Sequence, residues 1–163
     1  MPLVLGIDPG LASTGYALVE SVSGKLRCRD HGVVRTSPRT PHEQRLRHIH
    51  DEIAALLVTE VTGVAIESWF IHPVSKAAMG MAEARGAALV AIAGAGVAVQ
   101  EYSPNTVKQS VTGSGSADKQ QVRAMVERLL GVRPSTDHAA DAMALAICHV
   151  SAAPLTQAIR RAR

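Results

Sequence analysis

Two carboxylates stand at the ends of apolar runs that read as buried strands. Asp8 follows Leu3-Val4-Leu5-Gly6-Ile7, and Glu67 follows Val64-Ala65-Ile66. Alone, Asp8 serves equally well as an Asx-turn residue that helps Pro9-Gly10 fold the chain back. Glu67 is harder to explain that way, because an unpaired carboxylate beside a core is unfavourable. A third group opens an apolar helix: Asp137-His138-Ala139-Ala140-Asp141, continued by Ala142-Met143-Ala144-Leu145-Ala146-Ile147. His138 and Asp141 are i and i+3, so their Cβ atoms lie about 5–6 Å apart on one face. Asp137 and Asp141, at i and i+4, can also converge. Helix capping or pairing with the macrodipole accounts for Asp137. Asp141 instead sits among alanines on a face that otherwise reads as packed.

Carboxylates from two strand ends and one helix suit in-line hydrolysis of a phosphodiester. That reaction must neutralise a pentavalent phosphorane and ionise a water near neutral pH, which two divalent cations about 3.5–4 Å apart do together. Mg²⁺ takes hard oxygen ligands: a few carboxylates, water and substrate phosphate. His138 is a borderline ligand that accommodates Mn²⁺ beside Mg²⁺; as a neutral imidazole it can alternatively relay a proton. The opening hairpin leaves another chemistry in view. LGIDPGLASTGYALV, Leu5 to Val19, also describes the phosphate cradle of an actin-like or sugar-kinase ATPase.

The elements that must position these groups decide between the two. Leu3–Ile7, Gly15–Val22 and Lys25–Arg35 read as strands, and the Ser23-Gly24 turn makes them an antiparallel meander. Thr40-Pro41-His42-Glu43 reads as a helix start with Thr40 as N-cap, followed by Leu46, Ile49, Ile53, Leu56 and Leu57 at helical spacing. Val61–Glu67 is a fourth strand, Ser75–Ile92 a helix and Gly96–Tyr102 a fifth strand. Ser116-Ala117-Asp118-Lys119 opens a helix with Val122, Met125, Val126, Leu129 and Leu130 on its apolar face and Gly131 at its stop. A last helix spans about Ser135 to His149. The order β-β-β-α-β-α-β-α-α predicts an α/β fold: a ribonuclease-H-like five-stranded mixed sheet flanked by helices on both faces. We expect one domain over residues 1–150 and a loose basic tail over 151–163. An actin-like ATPase needs a second such domain, and 163 residues leave no room for it.

Bulk properties are compatible with a nuclease without demanding one. The 17 Lys+Arg against 14 Asp+Glu give a net charge of +3, too small to argue for nucleic acid unaided. If metals neutralise Asp8, Glu67 and Asp141, three of the 14 acids, 17 bases face the 11 that remain, a balance of +6. Cys28 and Cys148 fit no metal-ligand spacing and read as reduced thiols. The N-terminus lacks the pattern of a signal peptide. The longest apolar stretch, Gly86–Val99, is shorter than the ~18 residues a spanning helix needs. The expected setting is cytoplasmic, with no membrane partner.

Other groups can touch a polyanion. Trp69-Phe70, two of only four aromatics, follow Glu67 after a single serine, Ser68; they are either a hydrophobic plug or a stacking surface for unpaired bases, worth about 1–3 kcal/mol per base. Lys108 and Lys119 flank the loop Gly113-Ser114-Gly115-Ser116, which leads into a helix N-terminus suited to phosphate. Arg27, Arg29, Arg35, Arg39, Arg45 and Arg47 read as a solvated face. Ala77, Ala78, Gly80, Met81, Ala84, Gly86, Ala87 and Ala88 suit tight packing on the sheet or close approach to a twin helix in a C2 dimer.

Together the segments GIDPGLASTGYALV, AIESWF, EYSPNTVKQSVTGSGSADKQQV and DHAADAMALAICH resemble, in order, the successive motifs of the RuvC family of crossover junction endodeoxyribonucleases. The likeness runs from Leu5 to about His149. GIDPG alone is weakly specific; the four motifs together are strong. The resemblance implies a homodimeric nuclease that nicks two opposed strands of a four-way (Holliday) DNA junction, with two Mg²⁺ or Mn²⁺ ions per site. It implies Asp8, Glu67 and Asp141 as catalytic metal-binding acids and His138 at a fourth position that is acid or histidine in the family, leaving Asp137 as a neighbour. It assigns Phe70 to stacking and Lys108 and Lys119 to DNA, and implies the RuvA and RuvB branch-migration complex as partner. The segment Ile71-His72-Pro73 departs from the small polar residues usual there. A catalytically silent junction-binding module, or a ribonuclease-H-like nuclease for another branched substrate, are the alternatives.

Overall fold

In the computed structural model, residues 3–68 and 75–161 are described, with side chains as far as residue 152. The first apolar run forms β1 (Leu3–Asp8), the middle strand of a five-stranded sheet. β2 (Ser13–Val22) returns antiparallel beside it, and β3 (Lys25–Arg35) continues the meander to one edge. Ser23 (φ 51°) and Gly24 (φ 79°) turn the β2–β3 hairpin, both in the left-handed region that matches the strands' twist. On the other side of β1, β4 (Val61–Glu67) pairs with it in parallel, and β5 (Val99–Tyr102) extends the sheet in parallel to the far edge. The order is β3-β2-β1-β4-β5.

Strand alternation sorts the helices onto two faces. Leu3, Leu5, Ile7 and Val64 face α1 (His42–Leu56) and α2 (Lys76–Ala95). Val4, Ala17, Val19 and Ala65 face α3 (Pro104–Thr112), α4 (Lys119–Leu130) and α5 (Asp137–Arg161). The expected sheet with helices on both faces is therefore present. Among the described residues no helix is long and apolar enough to cross a membrane.

Several boundaries differ from the sequence reading. Pro41, not Thr40, is the half-in residue of α1, and no side chain caps it. The Pro41 carbonyl already accepts from the amides of Gln44 and Arg45, both at 3.1 Å, while the residue before a proline is pushed out of helical geometry. α3 went unread, although Ser103 caps it through the Thr106 amide and Pro104 opens it. α2 runs on to Ala95 and stops at Gly96 (φ 68°), so the fifth strand begins at Val99. α4 starts one turn later than its Ser116 signal, on a capping box between Asp118 and Gln121. α5 continues to Arg161, beyond the end read at His149.

One feature of the packing governs the site. α5 lies almost in contact with the sheet backbone over a track of glycines. A methyl at Gly15 would sit 2.0 Å from the His138 carbonyl oxygen, and one at Gly6 would sit 2.0 Å from that of Ala142. At Gly63 it would meet His149 Nε2 at 2.8 Å. Positions 138, 142 and 149 share one face of α5, so that whole face depends on strand positions without side chains.

Candidate active site

β1 and β4 are neighbouring parallel strands in which Ile7 pairs with Ile66, so Asp8 and Glu67 leave the sheet side by side. Both point to the α5 face, since each shares the parity of Gly6 and Ala65 on its strand. Asp8 pairs across the hairpin with Gly15, the residue on which the first turn of α5 rests. That turn carries His138 and Asp141, so the glycine contact lowers them directly onto the two strand-end acids. His138 Nδ1 lies 2.6 Å from Asp8 Oδ2.

The electrostatics show three acids in mutual view. Burial pushes the Asp8 carboxyl above the usual range, against the opposing His138 hydrogen bond, and the Asp141 charge pushes it further. Glu67 is raised by burial and then by Asp8 and Asp141, with Lys108 opposing. Asp141 is raised by burial, against the pull of Lys119 and His138. Lys119 Nζ lies 3.4 Å from Asp141 Oδ2 and 3.8 Å from Asp137 Oδ2. Burial works to lower its pKa, but Asp141, Asp137 and Asp8 outweigh that and raise it. Glu67, Asp141, Lys108 and Lys119 together rim a cleft of about 300 Å³ floored by Val107 and Val122.

This donor set is hard in the chemical sense and strongly anionic, and protein side chains already meet two of its acids. Asp8 is turned onto His138 and Asp141 onto Lys119; among the described residues no three His, Cys, Asp or Glu groups converge closely enough to hold one ion as they stand. Clustered, desolvated carboxylates that raise one another's pKa nevertheless fit a divalent cation, which would relieve the repulsion that burial leaves. Asp137 is turned away from this cluster: Arg123 Nη1 holds its Oδ1 at 2.8 Å. Trp69 and Phe70, and the unusual Ile71-His72-Pro73, lie outside the described residues.

Sequence reasoning missed the bracing of the turn after Asp8. Thr14, fully buried, donates from Oγ1 to the Gly10 carbonyl at 2.8 Å and accepts from the Gly10 amide at 3.2 Å. Thr36 Oγ1 donates to the Leu11 carbonyl, and Arg45 Nε donates to Thr36 Oγ1 at 2.9 Å. Arg45, read as part of a solvated face, is thus half-buried against the Asp8 turn. No periodicity announces such a contact; the one available signal was glycine recurring in strands otherwise rich in bulky residues.

Sheet order and helix layers define an α/β protein of the ribonuclease-H-like class, with an acidic cluster at the end of its central strands. A family model described as crossover junction endodeoxyribonuclease RuvC matches residues 4–149. The chain belongs to the RuvC family. The crossover junction endodeoxyribonuclease RuvC of Syntrophomonas wolfei is 43% identical over 150 residues, covering 90% of this chain and 87% of its own. That of Chloroflexus aurantiacus is 42% identical over 156 residues, covering 94% and 95%. Thermus thermophilus RuvC in complex with a Holliday junction substrate superposes with a TM-score of 0.88 at 36% identity, over 96% of this chain and 97% of that one. A fowlpox virus resolvase, solved with its substrate Holliday junction DNA, shares the fold alone at 12% identity and a TM-score of 0.56.

Proposed function

We propose that this chain resolves four-way DNA junctions by paired, symmetric nicks, hydrolysing one phosphodiester in each of two opposed strands. One observation carries the reading above all others. Three partly desolvated carboxylates, Asp8, Glu67 and Asp141, gather at the end of the sheet beside two lysines that rim the same cleft. Asp8, Glu67, His138 and Asp141 would hold two Mg²⁺ or Mn²⁺ ions. When bound, such ions supply Lewis acidity and an ionised water at neutral pH.

The protein's own part is placement and charge. β1 and β4 hold Asp8 and Glu67 on rigid backbone, and α5 holds His138 and Asp141 over them. Lys108 and Lys119 attract the scissile strand's phosphates from the cleft's rim. Trp69 and Phe70 follow Glu67 in the chain after only Ser68, which suits stacking on bases opened at the crossover. Paired nicks require two sites, and α2 offers a surface for a twin copy: Met79 and Val90 are 55% and 64% exposed, with Gly86 open between them. Such an apolar, small-residue stripe supports a homodimer in which the stripe meets its own symmetry mate.

A synthetic four-way junction incubated with the protein and Mg²⁺ or Mn²⁺ tests the reading. The expected products are symmetric nicks with 5′-phosphate and 3′-hydroxyl ends, lost in Asp8→Asn while junction affinity is kept. Binding without cleavage by the native chain would identify a silent junction-binding module instead. Cleavage retained in Asp8→Asn would remove the metal assignment.

A further inference from the structure

Asp137 and Arg123 are left over once the acidic cluster is assigned, yet they are the most connected ion pair beside it. Lys119 and Arg123 are i and i+4 on α4; Asp137 and Asp141 are i and i+4 on α5. The four form a ladder running in opposite senses along the two helices. Lys119 Nζ reaches Asp141 Oδ2 at 3.4 Å and Asp137 Oδ2 at 3.8 Å. Arg123 Nη1 takes the other oxygen of Asp137 at 2.8 Å, and its Nη2 donates to the Pro134 carbonyl at 3.0 Å, just before α5 begins. Arg123 Nε also lies 3.6 Å from Glu127 Oε1, one turn further along α4. The guanidinium is therefore fixed from three sides, and through it the Asp137 carboxylate.

This arrangement divides the two acids of α5 by task. Among the described residues Lys119 pairs with two acids, Asp141 and Asp137. An ion bound at Asp141 would compete with the ammonium for that carboxylate, but not for Asp137, whose other oxygen already belongs to Arg123. We propose that Asp137 and Arg123 are positioning residues: Arg123 anchors Asp137, and Asp137 keeps the Lys119 ammonium at the mouth of the cleft, available to a substrate phosphate when Asp141 is occupied. The proposal rests on the nuclease reading above, in which Lys119 meets the scissile strand. Arginine suits the anchoring role because its planar fork holds a carboxylate and a carbonyl at once.

The test combines single-turnover cleavage of a four-way junction, junction affinity, Mn²⁺ titration of the DNA-free protein, and the ¹⁵Nζ resonance of Lys119. Asp137→Asn and Arg123→Gln should each slow cleavage about 10-fold, the size of coupling seen between contacting charged groups. Junction and Mn²⁺ affinities should stay within about threefold of native. Arg123→Lys should recover only part of the rate. In a Lys119→Gln background neither substitution should slow cleavage further, which a merely structural staple would not predict. Both should also shift the Lys119 ¹⁵Nζ resonance of the DNA-free protein, a readout independent of cleavage. A Mn²⁺ affinity reduced more than about 10-fold in Asp137→Asn would make Asp137 a ligand and overturn the assignment. Native cleavage in Asp137→Asn, a loss that persists without Lys119, or an unmoved ¹⁵Nζ resonance would also overturn it. A native protein that cuts no junction would refute the nuclease reading instead, and leave the resonance test standing.

Discussion

Replacing Gly15 by alanine perturbs the contact on which the site depends, without touching a reacting group. The added methyl would lie 2.0 Å from the His138 carbonyl oxygen, 2.4 Å from its carbon and 3.0 Å from its Cβ. Comfortable contact needs about 3.5 Å, so the first turn of α5 must retreat by roughly 1 Å or more. Overpacking of this kind costs about 1–3 kcal/mol, which in a chain of this size lowers Tm by about 2–12 °C. The retreat carries His138 and Asp141 away from Asp8 and Glu67, and a 1 Å misplacement can slow chemistry about 100-fold. Thermal unfolding and single-turnover junction cleavage read the two effects separately. Gly6→Ala, which meets Ala142 rather than His138, should cost similar stability but less cleavage per degree of Tm lost. Gly94→Ala is the control: nothing lies within 4 Å of its added methyl, and an exposed helical glycine gains up to ~1 kcal/mol on becoming alanine. Native stability and native cleavage in Gly15→Ala would refute the close seating of α5.

The titration of Asp8 gives a second expectation. Its carboxyl is raised by burial, so ionising it opposes folding at neutral pH, and that opposition fades as the pH falls through the raised value. Without divalent metal, Asp8→Asn should therefore raise Tm at pH 7 by about 2–4 °C, the shift of about 1 kcal/mol. The advantage should shrink as the pH falls through the raised value; a lowered Tm at pH 7 would contradict the reasoning. Adding Mn²⁺ at about 100 times its Kd should stabilise the native chain by about 2.7 kcal/mol and Asp8→Asn much less, measured by the same unfolding assay. Exchanging His138 for aspartate should move metal preference towards Mg²⁺ in cleavage assays; an unchanged preference would argue that His138 is not a ligand.

How much of this was legible in the chain depended on whether the cause was local. Asp8 and Glu67 stood out because apolar strands rarely end in acids without reason, and the helix carrying Asp141 was visible from its alanine-rich face. The antiparallel meander of the first three strands followed from turn signals such as Ser23-Gly24. α3 escaped because its buried residues are only Val107 and Val111, too few to display a period. The choice between Asp137 and His138 was open in the sequence, since both lie one helical step from Asp141. Arg123, which holds Asp137, belongs to another helix. The seating of α5 on Gly15 and the brace from Arg45 to the Asp8 turn are likewise contacts between distant segments, and no pattern along the chain encodes them.

The site's instability and its function have a common origin. Seating α5 on bare glycine backbone brings Asp141 within reach of Asp8 and Glu67, and partial desolvation there pushes each carboxyl upward. The His138 hydrogen bond to Asp8 and the Lys119 ammonium beside Asp141 offset part of this repulsion. Because Lys119 is 62% exposed at its side chain, its attraction is screened and weakly held, and a divalent ion can displace it at little loss. An arginine in its place, able to hold a carboxylate with two parallel hydrogen bonds, would compensate the acids better and resist displacement more. On this reasoning the stabilising substitution Lys119→Arg raises Tm slightly in the absence of metal yet weakens Mn²⁺ binding. Thermal unfolding and calorimetric titration of the DNA-free protein measure the two sides, and tighter Mn²⁺ binding in that variant would show that Lys119 does not compete for Asp141.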